Sequence, residues 1–430
     1  MIKKTILLAG LIGSALEWYD FLLYAYFASI LAPLFFPAQD HTVSLILTYA
    51  VFALGFFVRP LGAIFLGHIG DLYGRKFALI VSISLMTLAM LFIGVLPTYQ
   101  TIGIWAPILL MMIRFIQGFA VAGEIGTAAS FLVEHASDKH RGLAGSSVIA
   151  TAYVGLLLGA IVAECAVSFI PSSILSNWAW RLPFLLAVPW GIIGLILRLR
   201  IIENTHLPLP KKRDHIPLKL VFLKYPTLLI LGIGIMTSTA LNEYFLIAYF
   251  TTYLTQIGFS LKEAMLINVL SLICFVGFIP FFGLLSDRFG RKKIFLTGAM
   301  GIIISVLPIF WLLSQHIFIY ALIGEILFAF LLAMVAIVFP ILVEIFPTDI
   351  RNSGVSIAYS ITFAIFGGTA PLVAMTLVHW TNFPSAPAFY SMAGVFLAIV
   401  ASTFIKETYH QPLKRRIGDE LGSGLTPTHP

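Results

Sequence analysis

One ten-residue pattern, Gly-x-x-x-Asp-x-x-Gly-Arg-Lys, occurs twice in this chain and constrains it more than any other feature. The first copy runs from Gly67 through Asp71, Gly74 and Arg75 to Lys76. The second runs from Gly283 through Asp287, Gly290 and Arg291 to Lys292, 216 positions later in a chain of 430. A single short basic turn between apolar runs would carry little information. Two copies half a chain apart, each between long apolar runs, point to duplication of a six-helix unit. In each copy Asp and Gly are expected to close a tight turn, and Arg-Lys to hold that turn on the cytoplasmic side of a membrane. A second echo agrees: Leu132-Val-Glu134 precedes Arg141 as Leu342-Val-Glu344 precedes Arg351, with six residues between Glu and Arg each time.

Composition decides the solvent. The chain is 60% hydrophobic and 10% charged, with a mean hydropathy of +1.00, whereas soluble domains carry about 25% charged residues. Because about twenty apolar residues span a bilayer, twelve spans are predicted. They cover residues 6–36, 44–66, 77–97, 102–133, 142–170, 182–201, 226–256, 262–285, 294–313, 316–346, 352–380 and 386–405. The fold class is therefore an all-α membrane protein with twelve transmembrane helices in two pseudo-symmetric six-helix bundles. Of the 26 Lys and Arg residues, 22 fall on one side of this alternation, which places both termini in the cytoplasm. The net charge of +7 follows from these basic loops and calls for no nucleic-acid partner. The N-terminal bundle is placed at residues 1–201, a cytoplasmic linker at 202–225, the C-terminal bundle at 226–406, and a disordered cytoplasmic tail at 407–430. The start Met1-Ile-Lys-Lys is read as part of an uncleaved first helix, because Glu17 and Asp20 follow and the apolar run continues. Cys165 and Cys274 are the two cysteines, which provides no disulfide framework.

The paired loops resemble the signature of the major facilitator superfamily. Further segments resemble its metabolite:proton symporters, which include carriers of proline and betaine, α-ketoglutarate, shikimate and citrate. These segments are Glu17-Trp-Tyr-Asp20-Phe, Val58-Arg59-Pro-Leu-Gly, Arg114-Phe-Ile-Gln-Gly118, Trp180-Arg181-Leu-Pro-Phe, Glu344-Ile-Phe-Pro-Thr and Phe366-Gly-Gly-Thr-Ala-Pro371. The resemblance implies two bundles that rock about a central site, proton-driven uptake, and a bacterial inner membrane. Two departures are noted. Leu72 follows Asp71 where many relatives carry a basic residue, and the short tail lacks the coiled-coil extension of some betaine carriers.

Charges placed deep in a bilayer cost about 2.5–3.5 kcal/mol on insertion scales, which makes each a functional candidate. At 1.5 Å per residue, Asp20 lies about 21 Å along the first helix and Arg114 about 18 Å from the outer end of the fourth. Both fall near the midplane, where they can pair. Glu17, Asp20 and Tyr24 share one helix face, as do Arg114, Gln117 and Val121. The expected mechanism has Asp20 bind the coupling proton, with Glu17 beside it, while Arg114 receives a substrate carboxylate once Asp20 is neutral; a static pair fixing the two helices is the alternative. Tyr24, Gln117, Arg59, Glu243, Asn242 and Tyr359 complete the expected substrate contacts, with Arg59 also able to brace Glu124. Glu134, Arg141, Glu344 and Arg351 are expected to form a cytoplasmic gate with the two signature loops.

Other classes find little support. The histidines lack metal-ligand spacing, no phosphate-binding Gly-x-x-x-x-Gly-Lys-Ser/Thr loop occurs, and no catalytic dyad is present. No enzyme, metal or cofactor is expected, the proton serving as coupling ion and the membrane potential supplying about 2.3 kcal/mol per charge per 100 mV. The expectation is a monomeric symporter of a small carboxylate-bearing metabolite: organic acid, amino acid or betaine. Proton-coupled efflux and a transporter-like ligand sensor are the alternatives. The fifth helix, with Gly155 and Gly159, lacks the Gly-Pro pair typical of drug antiporters.

Overall fold

The computed structural model describes residues 18–73, 75–120, 130, 132–134, 136–137, 139–203, 217–348, 350–409, 411 and 413. These form twelve helical spans. The first half holds α1 (Trp18–Tyr26 continued by Ala28–Phe35), α2 (His41–Tyr73), α3 (Arg75–Val95), α4 (Trp105–Ala120), α5 (Arg141–Phe169) and α6 (Arg181–Glu203). The second half holds α7 (Pro226–Gln256), α8 (Leu261–Phe289), α9 (Arg291–Leu313), α10 (Phe318–Ile345), α11 (Arg351–Thr381) and α12 (Ala386–Thr403). Eight of these, α2, α5 and α7 to α12, are long and apolar enough to cross a bilayer on their own. In α1 the chain bends by 68° near Phe27, and α6 meets the preceding Ser172–Ala179 segment at 54°. The described apolar parts of α3 and α4 are shorter. Residues 121–129, which the expected fourth span includes, lie outside the description.

Local chemistry explains several boundaries. Ser260 and Glu263 start α8 with a reciprocal cap: the Glu263 N–H donates to Ser260 Oγ at 3.2 Å, and the Ser260 N–H to Glu263 Oε2 at 3.0 Å. Pro226 opens α7, where its missing N–H is harmless. Pro60, Pro189, Pro280 and Pro308 lie inside helices, as neighbouring helices permit in membrane proteins. Wide π-helical turns interrupt α7 at Phe245–Tyr249 and α11 at Phe363–Gly367.

The halves meet along α5 against α8 and α2 against α11. Within the first half, α2 and α4 cross on glycine. A Cβ at Gly118 would lie 1.9 Å from the Gly55 carbonyl oxygen, and one at Gly62 2.0 Å from that of Phe119, the close approach that small residues allow. Large apolar side chains such as Trp105, Phe169, Trp311 and Trp380 are exposed on the outside, a surface suited to lipid.

Two expectations about the loops are corrected. Asp287 does not close a turn. It lies inside the last turn of α8, and Gly290 alone makes the reversal, with φ +103°. Nor does disorder begin at residue 407. The Glu407 carboxylate accepts the backbone N–H groups of Arg291 at 3.0 Å and Lys292 at 3.1 Å. It thereby caps α9, whose N-cap Gly290 has no side chain to do so. The Tyr409 hydroxyl donates to Arg288 O at 3.0 Å. Residues 414–430 lie outside the description. The expected linker region contains a helix, Pro217–Lys224.

Candidate functional site

Asp20 on α1 and Arg114 on α4 meet in the interior of the first half. Arg114 Nη1 donates to Asp20 Oδ2 at 3.1 Å, with the two side chains 1% and 0% exposed. The Arg114 guanidinium also lies over the Tyr24 ring, 3.9 Å from its centroid, while the Tyr24 hydroxyl donates to Thr48 O at 3.1 Å. Gln117, one turn along α4, stands against the Asp20 carboxylate and directs Nε2 to Met90 Sδ at 3.6 Å. These contacts engage one edge and one face of the guanidinium. Its other edge, Nε and Nη2, has no hydrogen-bond partner among the described residues. That edge is a planar two-donor fork, the geometry that takes a carboxylate through two parallel bonds.

Arg59 is 3% exposed and held between two rings, 4.3 Å from the Phe21 centroid and 4.2 Å from that of Phe56. Such stacking stabilises a desolvated cation by about 2 kcal/mol or more. Glu17 and Glu124 lie outside the described residues, so the proposed brace between Arg59 and Glu124 does too.

Across the interface, Glu243 on α7 is 1% exposed and faces the Tyr153 hydroxyl of α5. Among the described residues it makes no ion pair. Tyr244 and Tyr359 stand near the same Tyr153 hydroxyl. Asn242 does not join this group. Its Nδ2 donates to Ser238 O at 2.7 Å and its Oδ1 accepts from Ser391 of α12 at 2.5 Å, so it ties α7 to α12. Neighbouring residues on a helix do not share a face, so Asn242 and Glu243, both expected as substrate contacts, point apart.

Aromatic rings link these groups; Tyr24 and Tyr359 are expected from the sequence, the others are not. Trp18 stacks on Tyr153 at 5.8 Å, and Tyr153 meets Phe275 edge-on at 5.0 Å. Tyr24 stacks on Phe52 at 6.0 Å, Phe56 meets Tyr244 at 5.1 Å, and Tyr359 stacks on Phe363 at 4.2 Å. The wall therefore passes from one half to the other. Its sequence signal was weak, because 37 Phe and 15 Tyr residues occur in the chain and helix position alone does not say which face inward.

The two halves also touch at both ends. On the face bearing the signature loops, Asp287 crosses to the start of α5, accepting the N–H groups of Gly142 and Leu143 at 2.9 Å each. Arg291 pairs with Asp287 at 2.8 Å and Glu344 at 3.4 Å, and Arg351 reaches Glu134 of the first half at 2.6 Å. A Cβ at Gly142 would lie 2.6 Å from Gly283 O. Arg141 Nη1 donates to Gln411 O at 2.8 Å. Gly67 and Asp71 belong to α2 and Arg75 to α3; the side chains of Asp71 and Arg75, and Gly74 itself, lie outside the description. On the far face, the Tyr49 hydroxyl bonds Ala248 O at 3.1 Å and Thr252 Oγ1 at 2.6 Å. There the Thr42 N–H, 2.8 Å away, holds the exposed Asp40 carboxyl below the usual carboxylate range, with His379 at 3.8 Å adding to the effect.

A family model described as Major Facilitator Superfamily matches residues 21–279 and 231–429. The chain is 36% identical over 427 residues to the glycine betaine/proline/ectoine/pipecolic acid transporter OusA of Dickeya dadantii, covering 96% of this chain and 85% of the relative. It is 34% identical over 427 residues to the proline/betaine transporter of Escherichia coli K12, with the same coverage. Among solved structures, a D-xylose-proton symporter superposes with a TM-score of 0.73 at 18% identity, over 96% of this chain and 99% of that one. The xylose transporter XylE of E. coli, partially occluded and inward open, gives 0.72 at 18% identity, over 94% and 98%.

Proposed function

The chain belongs to the major facilitator superfamily of multi-pass membrane transporters, and from that premise we propose that it is a proton-coupled symporter importing a small zwitterion of the proline or betaine kind. The observation that carries this reading is the open Nε/Nη2 edge of Arg114, buried and aligned by Asp20. A substrate carboxylate docks on that edge. Its cationic end is taken by Glu243, which has no counter-ion of its own among the described residues, and by the ring faces of Tyr153, Tyr244 and Tyr359. The names of the curated relatives, which include proline and betaine, support the same class. A dicarboxylate or tricarboxylate would set a second negative charge against Glu243.

Asp20 carries the coupling proton. Ionised, it competes with the substrate for the Arg114 charge; protonated, it leaves that charge to the substrate. Loaded or empty carrier then rocks, the halves 1–201 and 226–406 moving about the central site. The signature face is cytoplasmic, in accord with its basic residues, and the membrane is the bacterial inner membrane. The carrier works as a monomer with no cofactor.

The test is uptake into proteoliposomes under an imposed inward proton gradient, with labelled proline, betaine, α-ketoglutarate, citrate and shikimate, each with and without a protonophore. Protonophore-sensitive accumulation of proline or betaine is the expected result. Accumulation of a dicarboxylate alone would overturn the zwitterion assignment. Binding without accumulation would move the protein to efflux or sensing.

A further inference from the structure

Glu325 on α10 is fully buried, lies about 10 Å from the far end of its helix, and has no part in the site above. Its surroundings are unusual for a carboxylate. Asn268 of α8 donates Nδ2 to Glu325 Oε2 at 2.9 Å. The Ser271 hydroxyl lies beside the carboxyl but sends its proton to Ile267 O at 2.9 Å. Oε1 has no hydrogen-bond partner among the described residues, and Glu325 forms no ion pair there. The titratable group that faces it is Tyr26, from α1; α7 presents the Leu246 carbonyl through Asn268, and α8 the amide and Ser271.

Asn268 makes this carboxyl consequential. Its Nδ2 also donates to Leu246 O at 2.6 Å, and its Oδ1 accepts the Tyr26 hydroxyl. Both ends of the amide are engaged, so the acceptors Glu325 and Leu246 fix its orientation, and that orientation offers Oδ1 across the interface to the first half. Tyr26–Asn268 stands beside Tyr49–Thr252 as a polar tie between the halves on the far side of Asp20.

We propose that Glu325 is a second proton-binding residue, distinct from Asp20, whose neutralisation accompanies closure of the far-face gate that the Asn268–Tyr26 tie helps to hold shut. The physical reason is desolvation. Closing the gate removes water from a carboxyl that has one donor, one bare oxygen and no cation, and an uncompensated buried charge is costly. The neutral acid keeps Oε2 as the acceptor for Asn268 and carries its proton on the other oxygen, so the tie survives. The ionised form needs water, which enters when the gate opens. Raising the pH therefore disfavours closure, by at most tenfold per unit for one proton. The inference does not depend on the substrate, and it adds to the proton role assigned to Asp20 under Proposed function.

The experiment uses the full chain in nanodiscs, with Cys165 and Cys274 replaced by serine and spin labels at Gln100→Cys and Lys262→Cys, one far-face site on each half. Distances are measured by double electron–electron resonance from pH 5 to 9. The short-distance population of the parent should fall as pH rises. In Glu325→Gln it should stay high throughout, and the pH slope should vanish. Tyr26→Phe should lower the short-distance population at every pH and keep the slope. Asp20→Asn should also keep the slope while losing proton-driven accumulation, which separates failure at the two carboxyls. A parental slope in Glu325→Gln overturns the proposal. So does a slope abolished by Asp20→Asn but not by Glu325→Gln, or an undiminished closed population in Tyr26→Phe.

Discussion

The two halves of this transporter share a scaffold and a signature loop, yet away from the signature face they bury charge in opposite ways. In the first half a carboxylate and a guanidinium neutralise one another, Asp20 against Arg114 at 3.1 Å. In the second, Glu243 and Glu325 are equally buried but face a tyrosine hydroxyl and an amide. A buried pair can remain charged through a conformational cycle, because each partner compensates the other. A buried carboxyl without a cation must gain a proton or a positive ligand. Duplication supplied the architecture, and a few interior side chains now differ between the halves, leaving a paired carboxylate in one and carboxyls without a cation in the other.

The largest effect expected from breaking this contrast is at Arg114. Arg114→Lys keeps the charge but loses the Nε/Nη2 fork, and kcat/KM for uptake should fall by about 100-fold or more; near-parental uptake would remove the carboxylate anchor from the scheme. Next comes Asp20→Asn, which should reduce proton-driven accumulation to the equilibrium level while leaving counterflow exchange measurable. Accumulation that persists would reassign the proton. Glu243→Gln should weaken betaine and proline affinity by about tenfold, the scale of one charge contact in a partly desolvated site. Equal weakening for a monocarboxylate without a cationic group would show that Glu243 is structural. The smallest effect is expected at Asn242→Ala, which should cost about 1–3 kcal/mol of stability by leaving Ser391 unpaired, with the ratio of betaine to proline affinity unchanged in a competition assay.

Much of this arrangement was legible in the chain itself. The repeated loops reported the duplication, and the alternation of basic residues with apolar runs reported twelve spans. Helix rise alone brought Asp20 and Arg114 to one depth, where the structure joins them. What escaped was azimuth. Depth along a helix follows from counting, but the face a residue presents depends on packing against neighbours far away in sequence. Asn242 and Glu243 show the consequence: adjacent in the chain, they point to α12 and to α5 respectively. Tyr153 and Trp18 stay outside the expected site for the same reason. Asp287 reads as a turn residue in sequence because its partners, the amides of Gly142 and Leu143, lie 144 and more positions away.

The Asp287 cap carries a consequence for the energetics of opening. With the signature face shut, the carboxylate occupies the positive end of the α5 dipole. When the halves part on that side, those amides are bared, and a helix start presenting bare N–H groups attracts small inorganic anions.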